Sequence, residues 1–355
     1  MQKMVAKRGS RRRTEGPTVA DVAHAAGVSP MTVSRVINHD QRVKDATRKK
    51  VEVAVAALGY VPNAAARALA GARQCRIVLL YGNPSAAYLS EFLLGSLGSA
   101  RENDVELIVD KIDPLEKPVM LAARLVAHRV DAVLLPPPLC DDAELLSALQ
   151  KCGLAAAQVA SGQPSPSSHA VLIDDEEAAF TMTQHILARG HRRIGFVTGD
   201  PNQTASHLRR QGYERALHLA GIKPDKKLVA QGNFTYRGGL SGAATLLDIT
   251  SPPSAIFAAN DDMAAGVVSA AHQRGLDVPS DLTVCGFDDT AIATTIWPEL
   301  TTIRQPISAM ASVAIEILAQ AVRSKRPLAR AQPQHVKLDY ELVVRGSDAA
   351  PQLKT

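Results

Sequence analysis

Apolar positions recur at helical spacing in three short blocks between residues 18 and 58. In residues 18–26, Val22, Ala23 and Ala26 share a face; Thr18 can cap that helix, and Asp21, three residues on, completes an acidic variant of the capping box. Gly27 then supplies a permissive turn, Ser29 an N-cap, and Pro30 the first helical position, where its missing N–H costs nothing. In residues 30–37, Val33, Val36 and Ile37 turn inward and leave Met31, Thr32, Ser34 and Arg35 outward. A third block, residues 45–58, has Val51, Val55 and Leu58 as its inward stripe and Gly59 as its stop. Two short helices joined by a tight turn, followed by a third, form an all-α three-helix headpiece. In a helix-turn-helix, the outward face of the second helix enters the DNA major groove. Residues 64–70, capped by Asn63 and ended by Gly71, are alanine-rich but too short to hold a helix alone in water. They are expected to order only against DNA or a second copy of themselves.

From residue 74 the pattern changes. Short apolar runs at 76–81, 131–135, 193–197, 254–258 and 282–287 alternate with helical patterns at 89–101, 176–188, 205–219, 263–274 and 307–322. That alternation predicts doubly wound parallel sheets covered by helices on both faces. One sheet would be unusually long, so two α/β lobes are expected. Ligands of open parallel sheets bind beyond the carboxyl ends of strands. Asn260 with Asp261, and Asp288 with Asp289, stand where strands open into loops, and amides and carboxylates suit hydroxyl groups that donate and accept hydrogen bonds. Arg209 lies early in a helix after the Gly199-Asp200 loop, and Phe234 follows Gln231-Gly232-Asn233, where a ring can stack on a sugar. The competing reading of Asn260, Asp288 and Asp289 is that they only cap the helices that follow.

Charge sharpens the picture. Residues 1–73 hold 14 Lys and Arg against 5 Asp and Glu, a net +9; the whole-chain +5 therefore leaves −4 for the rest. Basicity concentrated in the first fifth is the footprint of a nucleic-acid module on an acidic body. Lys7, Arg8, Arg11, Arg12 and Arg13 read as a disordered basic arm over residues 1–16. At 355 residues, two or three domains are expected. No run reaches membrane-helix length and no apolar segment follows the basic start, so a cytoplasmic protein with no membrane association is expected. Cys75, Cys140, Cys152 and Cys285 lack metal-site spacing or disulfide density. His185 and His191 have no companion ligands and read as capping or surface imidazoles, so no metal is expected. No dinucleotide, phosphate-loop or nucleophile-elbow motif occurs, so neither a cofactor nor an enzyme is expected. Residues 163–168 read as a surface connection between the lobes.

The stretch TVADVAHAAGVSPMTVSRVIN (residues 18–38) resembles the head of the LacI/GalR family of bacterial transcription regulators. So do Tyr60-Val-Pro-Asn63 with Arg67, Leu69 and Ala70, Gly190-His-Arg-Arg-Ile194, Asn260-Asp261, Gly286-Phe-Asp-Asp289 and Leu300-Thr-Thr-Ile-Arg-Gln-Pro306. The resemblance implies a headpiece at 17–62, a hinge helix and linker at 63–73, and a periplasmic-binding-protein-like core of two lobes. The first lobe would comprise 74–176 and 307–334, the second 177–306 and 335–355. It implies a homodimeric repressor on a palindromic operator in double-stranded DNA. Pro30, Met31 and Arg35 would face base edges, an Arg35–guanine contact being the most discriminating. Thr18, Ser29, Thr32, Ser34 and Asn38 would contact phosphates. Leu69 would wedge into a minor-groove step as two hinge helices pair. The family's effector-contacting positions fall on Arg209, Phe234, Asn260, Asp288 and, more loosely, Tyr88. A sugar or sugar acid suits them, and so does a purine or nucleoside acting as corepressor; activation instead of repression is left open. A sugar-binding transport protein shares the lobes but not the first 70 residues, and an α/β enzyme needs a catalytic constellation that is not found.

Overall fold

The structure, a computed structural model, describes residues 17–37, 43–60, 74–113, 115–324 and 332–352. The chain divides after Gln74 into two compact units.

The first unit holds α1 (Val19–Ala26), α2 (Pro30–Ile37) and α3 (Asp45–Leu58). The capping box forms: the Thr18 N–H donates to Asp21 Oδ2 at 2.8 Å and the Asp21 N–H reaches Thr18 Oγ1 at 3.4 Å. Gly27 ends α1 at φ 66°, a left-handed conformation that glycine adopts without the steric cost a side chain would bring. Val22, Val33 and Val51 are fully enclosed, and Ala23, Val36, Ala54 and Tyr60 complete the core. Leu58, expected inward, is exposed instead. Ala54 joins Val51 on the buried side of α3, and Tyr60, just past the Gly59 cap, belongs to the same core.

Among the described residues of the second unit, strands run in chain order as β1 (Cys75–Tyr81), β2 (Val105–Lys111), β3 (Ala132–Leu135), β4 (Ala155–Val159), β5 (His169–Leu172) and β6 (Ile194–Thr198). They continue as β7 (Val229–Gln231), β8 (Ala255–Ala258), β9 (Thr283–Asp288), β10 (Thr301–Arg304), β11 (His335–Lys337) and β12 (Glu341–Val343). The helices between them are α4 (Ala86–Glu102), α5 (Pro118–Ala127), α6 (Ala143–Lys151), α7 (Asp175–Ala188), α8 (Thr204–Leu219), α9 (Tyr236–Leu247), α10 (Asp261–Gln273), α11 (Ile292–Thr295) and α12 (Ile307–Arg323). Two six-stranded sheets result, ordered β11-β5-β4-β3-β1-β2 and β12-β10-β9-β8-β6-β7. Every pairing is parallel except β10 with β12. This is the two-lobed α/β fold the alternation predicts.

The continuous apolar strands follow from double coverage. On β1, Ile77 and Leu79 face one hydrophobic cluster while Val78 and Leu80 face another. Helix α12 returns to the first lobe and packs beside α4 so closely that a Cβ on Gly95 would lie 2.1 Å from the Ser308 carbonyl oxygen. The chain thus crosses between lobes before α7, before α12 and between β11 and β12. The last crossing departs from the expected boundary, because His335–Lys337 pairs with β5 in the first sheet before the chain moves on. Residues 163–168 also sit differently from the expectation: they join β4 to β5 within the first sheet. His191 is a core residue, 2% exposed, with its ring nitrogens on Ser254 Oγ and the Ala349 carbonyl oxygen.

Candidate functional site

In the head, α2 presents Pro30, Met31 and Arg35 to solvent, Met31 at 64% exposure, while Val33 and Val36 anchor the opposite side. Thr32 and Ser34 are half-buried. The Ser29 hydroxyl accepts from the Thr32 N–H at 3.2 Å and touches the Thr32 hydroxyl at 2.9 Å. Thr18 and Ser29 cap the N-termini of α1 and α2. The outward face of α2 therefore presents a guanidinium and a flexible thioether above a packed apolar side. Asn38, Leu69 and the hinge segment lie outside the described residues.

In the second unit, Tyr88, Arg209, Phe234, Asn260 and Asp288 surround one small cavity of about 30 Å³ between the lobes, room for a water or two. Its walls are built from loops just past strand ends: Asn83 and Ser85 after β1, Pro137 after β3, Ala160 after β4, Phe234 after β7, Asn260 after β8, Asp288 at the end of β9 and Gln305 after β10. Ala160 at φ 59°, Phe234 at φ 60° and Asp288 at φ 113° all hold backbone conformations that side chains rarely adopt. Such strain concentrates at ligand sites because only the surrounding packing can sustain it. Gly199 makes room for the Phe234 ring: a Cβ there would lie 1.9 Å from the ring's Cζ.

Arg209 organises the electrostatics. Its Nε donates to Asp175 Oδ1 at 2.7 Å, its Nη1 to the Ala259 carbonyl at 2.6 Å, and Nη1 also lies 3.6 Å from Asp288. The guanidinium stacks over Phe287 at 3.6 Å from the ring centroid. Asp288 accepts from the Gln305 amide at 2.6 Å. Burial pushes its carboxyl up to about 7, with Arg209 and Gln305 pulling the other way. Burial also raises Asp175, opposed by Arg209, and holds the Tyr88 hydroxyl well above its ordinary range. Two buried polar atoms of the cavity wall, Tyr88 Oη and Gln305 Oε1, have no partner. Buried polar atoms of folded proteins are normally paired, so two of them without a protein partner on one cavity wall suit a small hydrogen-bonding guest.

The sequence pairs divide by direction. Asn260 caps α10, accepting from the Met263 N–H at 3.0 Å, and also donates to the Phe234 carbonyl at 3.2 Å on the cavity wall. Asp261 points away into the second lobe, accepting from Thr302 Oγ1 at 2.6 Å and the Thr290 N–H at 2.9 Å. Asp289 forms ion pairs with Arg304 and Arg345. Ser85, Gln203 and Gln305 belong to the wall and were not singled out by sequence; their signal was position, one to a few residues beyond strand ends. Two hydrogen-bonded latches flank the cavity. Ser85 Oγ donates to Asp262 Oδ2 at 2.6 Å, and Asp141 of the first lobe accepts from the Thr204 N–H at 2.8 Å and its hydroxyl at 2.9 Å.

Among the described residues no group of His, Cys, Asp and Glu is placed to hold a metal ion, and no helix is long and apolar enough to cross a membrane.

Residues 18–63 match the model of bacterial regulatory proteins of the lacI family, and residues 183–347 that of a periplasmic binding protein-like domain. The HTH-type transcriptional regulator DegA of Bacillus subtilis (strain 168) is 34% identical over 334 residues, covering 93% of this chain and 97% of that one. Catabolite control protein A of Priestia megaterium is 33% identical over 305 residues, 85% and 92% of the two chains. Among solved structures, the lac repressor dimer bound to operator and the anti-inducer ONPF superposes with a TM-score of 0.74 at 27% identity, over 95% of this chain and all of that one.

Proposed function

The chain belongs to the LacI family of bacterial regulatory proteins, whose members are DNA-binding transcription regulators, and from that premise we propose that it is a repressor whose operator affinity is set by a small carbohydrate-type molecule held between the lobes. What supports the ligand half is the pair of unpartnered buried atoms, Tyr88 Oη and Gln305 Oε1, facing a cavity shared with Arg209, Asn260 and Asp288. What supports the DNA half is the outward face of α2, with Arg35 and Met31 exposed above a packed Val33–Val36 side.

In this reading Arg35 discriminates bases, Pro30 and Met31 shape the apolar contact, and Thr18, Ser29, Thr32, Ser34 and Asn38 set register on phosphates. The protein works as a homodimer on a roughly palindromic duplex, because two heads related by a two-fold read two half-sites. The cavity is too small for a sugar as it stands, so ligand entry breaks the Ser85–Asp262 and Thr204–Asp141 latches and changes how the lobes align. That change is what the ligand couples to DNA affinity, by binding one lobe arrangement better than the other. The reading is tested by selecting a preferred duplex from a random pool and titrating the full chain with it, with and without each sugar of a panel. A preferred duplex whose affinity shifts with a sugar is the expected result; no duplex preference, or an affinity that no sugar alters, overturns it.

A further inference from the structure

Taking the interlobe cavity as the effector site, we infer that it accepts an uncharged ligand donating hydrogen bonds from several hydroxyl groups, and that it rejects the carboxylated or phosphorylated form of the same molecule. This rests on the proposed function and divides ligand classes that the sequence left together.

The first argument is charge. Arg209 is the sole cation among the cavity-wall residues, and its charge is already met by Asp175 at 2.7 Å and Asp288 at 3.6 Å, with its plane covered by Phe287. Asp262 adds a third carboxylate, held by Ser85 at the cavity edge. Behind the wall, Asp261 and Asp289 bring two more, the second neutralised by Arg304 and Arg345. Burial pushes the Asp288, Asp262 and Asp261 carboxyls up, so the cation decides: an incoming anion finds no positive charge on the wall free to meet it, and an unmet charge shielded from water is costly.

The second argument is hydrogen-bond polarity. The Gln305 amide already donates to Asp288, and its orphan Oε1 can only accept. Tyr88 Oη, also orphaned, can both donate and accept. A hydroxyl satisfies both atoms; a carboxylate or phosphate oxygen can accept from Tyr88 but offers no proton to Gln305 Oε1.

The third argument concerns the usual anion-binding device, the open helix N-terminus. Helices α4, α8 and α10 all begin at the cavity, and side chains already occupy them. The Tyr88 N–H donates to Ser85 Oγ at 3.2 Å, the Thr204 N–H to Asp141 Oδ2 at 2.8 Å, and the Met263 N–H to Asn260 Oδ1 at 3.0 Å. Two of these caps are neutral and the third is itself an anion.

The test is a matched panel against the full chain: glucose, glucuronate and glucose 6-phosphate; galactose, galacturonate and galactose 1-phosphate; ribose and ribose 5-phosphate; adenosine and its monophosphate. Hits from thermal shift are measured by calorimetry. A neutral member is expected to bind at least tenfold tighter than its charged partners. In Asp288→Asn the ratio should narrow, because the facing carboxyl is gone, and in Asp175→Asn it should narrow too, because the charge that neutralises Arg209 is gone while its Nε hydrogen bond can persist. A charged member that binds as tightly as its neutral parent, or a ratio unmoved in both variants, overturns the inference while leaving the effector site in place. A panel in which nothing binds and nothing alters duplex affinity overturns the effector reading, and the charge selection with it.

Discussion

Replacing Arg209 with Met takes the cation out of a buried cluster and leaves two carboxylates without it. The guanidinium lies 2.7 Å from Asp175 and 3.6 Å from Asp288, and the three side chains are 5%, 1% and 5% exposed. At an effective dielectric of about 20, the Asp175 separation gives a gross attraction of about 6 kcal/mol, and Asp288, whose carboxyl is pushed up to about 7, adds up to about 5 kcal/mol only as it ionises. Taking each ion out of water costs several kcal/mol, so the intact cluster contributes little net stability, while removal of one member exposes the full penalty of the others. Arg209→Met is therefore expected to lower the unfolding free energy of the core by about 3–5 kcal/mol. Asp175→Asn in the same background should restore part of that loss, since it deletes a charge that has lost its partner. Urea denaturation of the full chain, followed by far-UV circular dichroism near neutral pH, measures the four members of the cycle. A coupling of at least about 1 kcal/mol is expected between the two sites. The deficit of Arg209→Met should also shrink from about pH 8 to about pH 5, because unpaired carboxyls escape their penalty by protonation. Strictly additive losses, or a single variant within about 0.5 kcal/mol of the parent, refute the reasoning.

Three other outcomes follow from the same geometry. Gly199→Ala places a methyl 1.9 Å from the Phe234 ring and should cost about 1–3 kcal/mol while weakening binding of any sugar that the parent binds; unchanged calorimetric affinity removes the ring from the binding wall. Burial raises the Asp288 carboxyl from 3.8 to about 7, so the folded chain keeps a proton there that the unfolded chain has lost. That stabilisation is complete below about pH 4 and is lost as pH rises through about 7, so Asp288→Asn should gain stability over the parent as pH rises across that window; a constant difference in melting temperature counts against it. Arg35→Ala should cost about 1–3 kcal/mol on the preferred duplex and much less on a scrambled one, read by fluorescence anisotropy; equal losses on both would assign Arg35 to the phosphate backbone.

The head was legible because its signals are local. The capping box, the Gly27 turn and a helical apolar stripe within residues 18–58 need no distant partner to be understood. Leu58 shows the limit: periodicity puts it inward, but it stands exposed, and Tyr60, beyond the helix stop, joins the core instead. In the second unit, β1, β3, β6, β8 and β9 are apolar runs and read easily. Strand β2 alternates with Glu106 and Asp110 at a sheet edge, and β4 is largely alanine, a residue with little preference for strands, so tertiary pairing decides both. The lobe boundary near His335 was misplaced because a three-residue edge strand is specified by the strand it joins. In the site, the rule that ligands gather beyond strand ends found the positions. It did not find directions: Asp261 turns away from its neighbour Asn260 because Thr302 on β10 lies within reach, a contact 41 residues distant.

The order in which the sheets are completed has a consequence for biogenesis. Helix α12, which packs across β1, β3, β4 and β5, begins 135 positions after β5 ends, and the edge strand β11 comes later still. At a synthesis rate of about 5–20 residues per second, the nascent first lobe keeps that apolar flank uncovered for on the order of ten seconds. A polypeptide released after residue 306 would retain the parallel strands of the second sheet and leave the first with a bare hydrophobic side, so truncation near the end is felt most by the part of the molecule translated earliest.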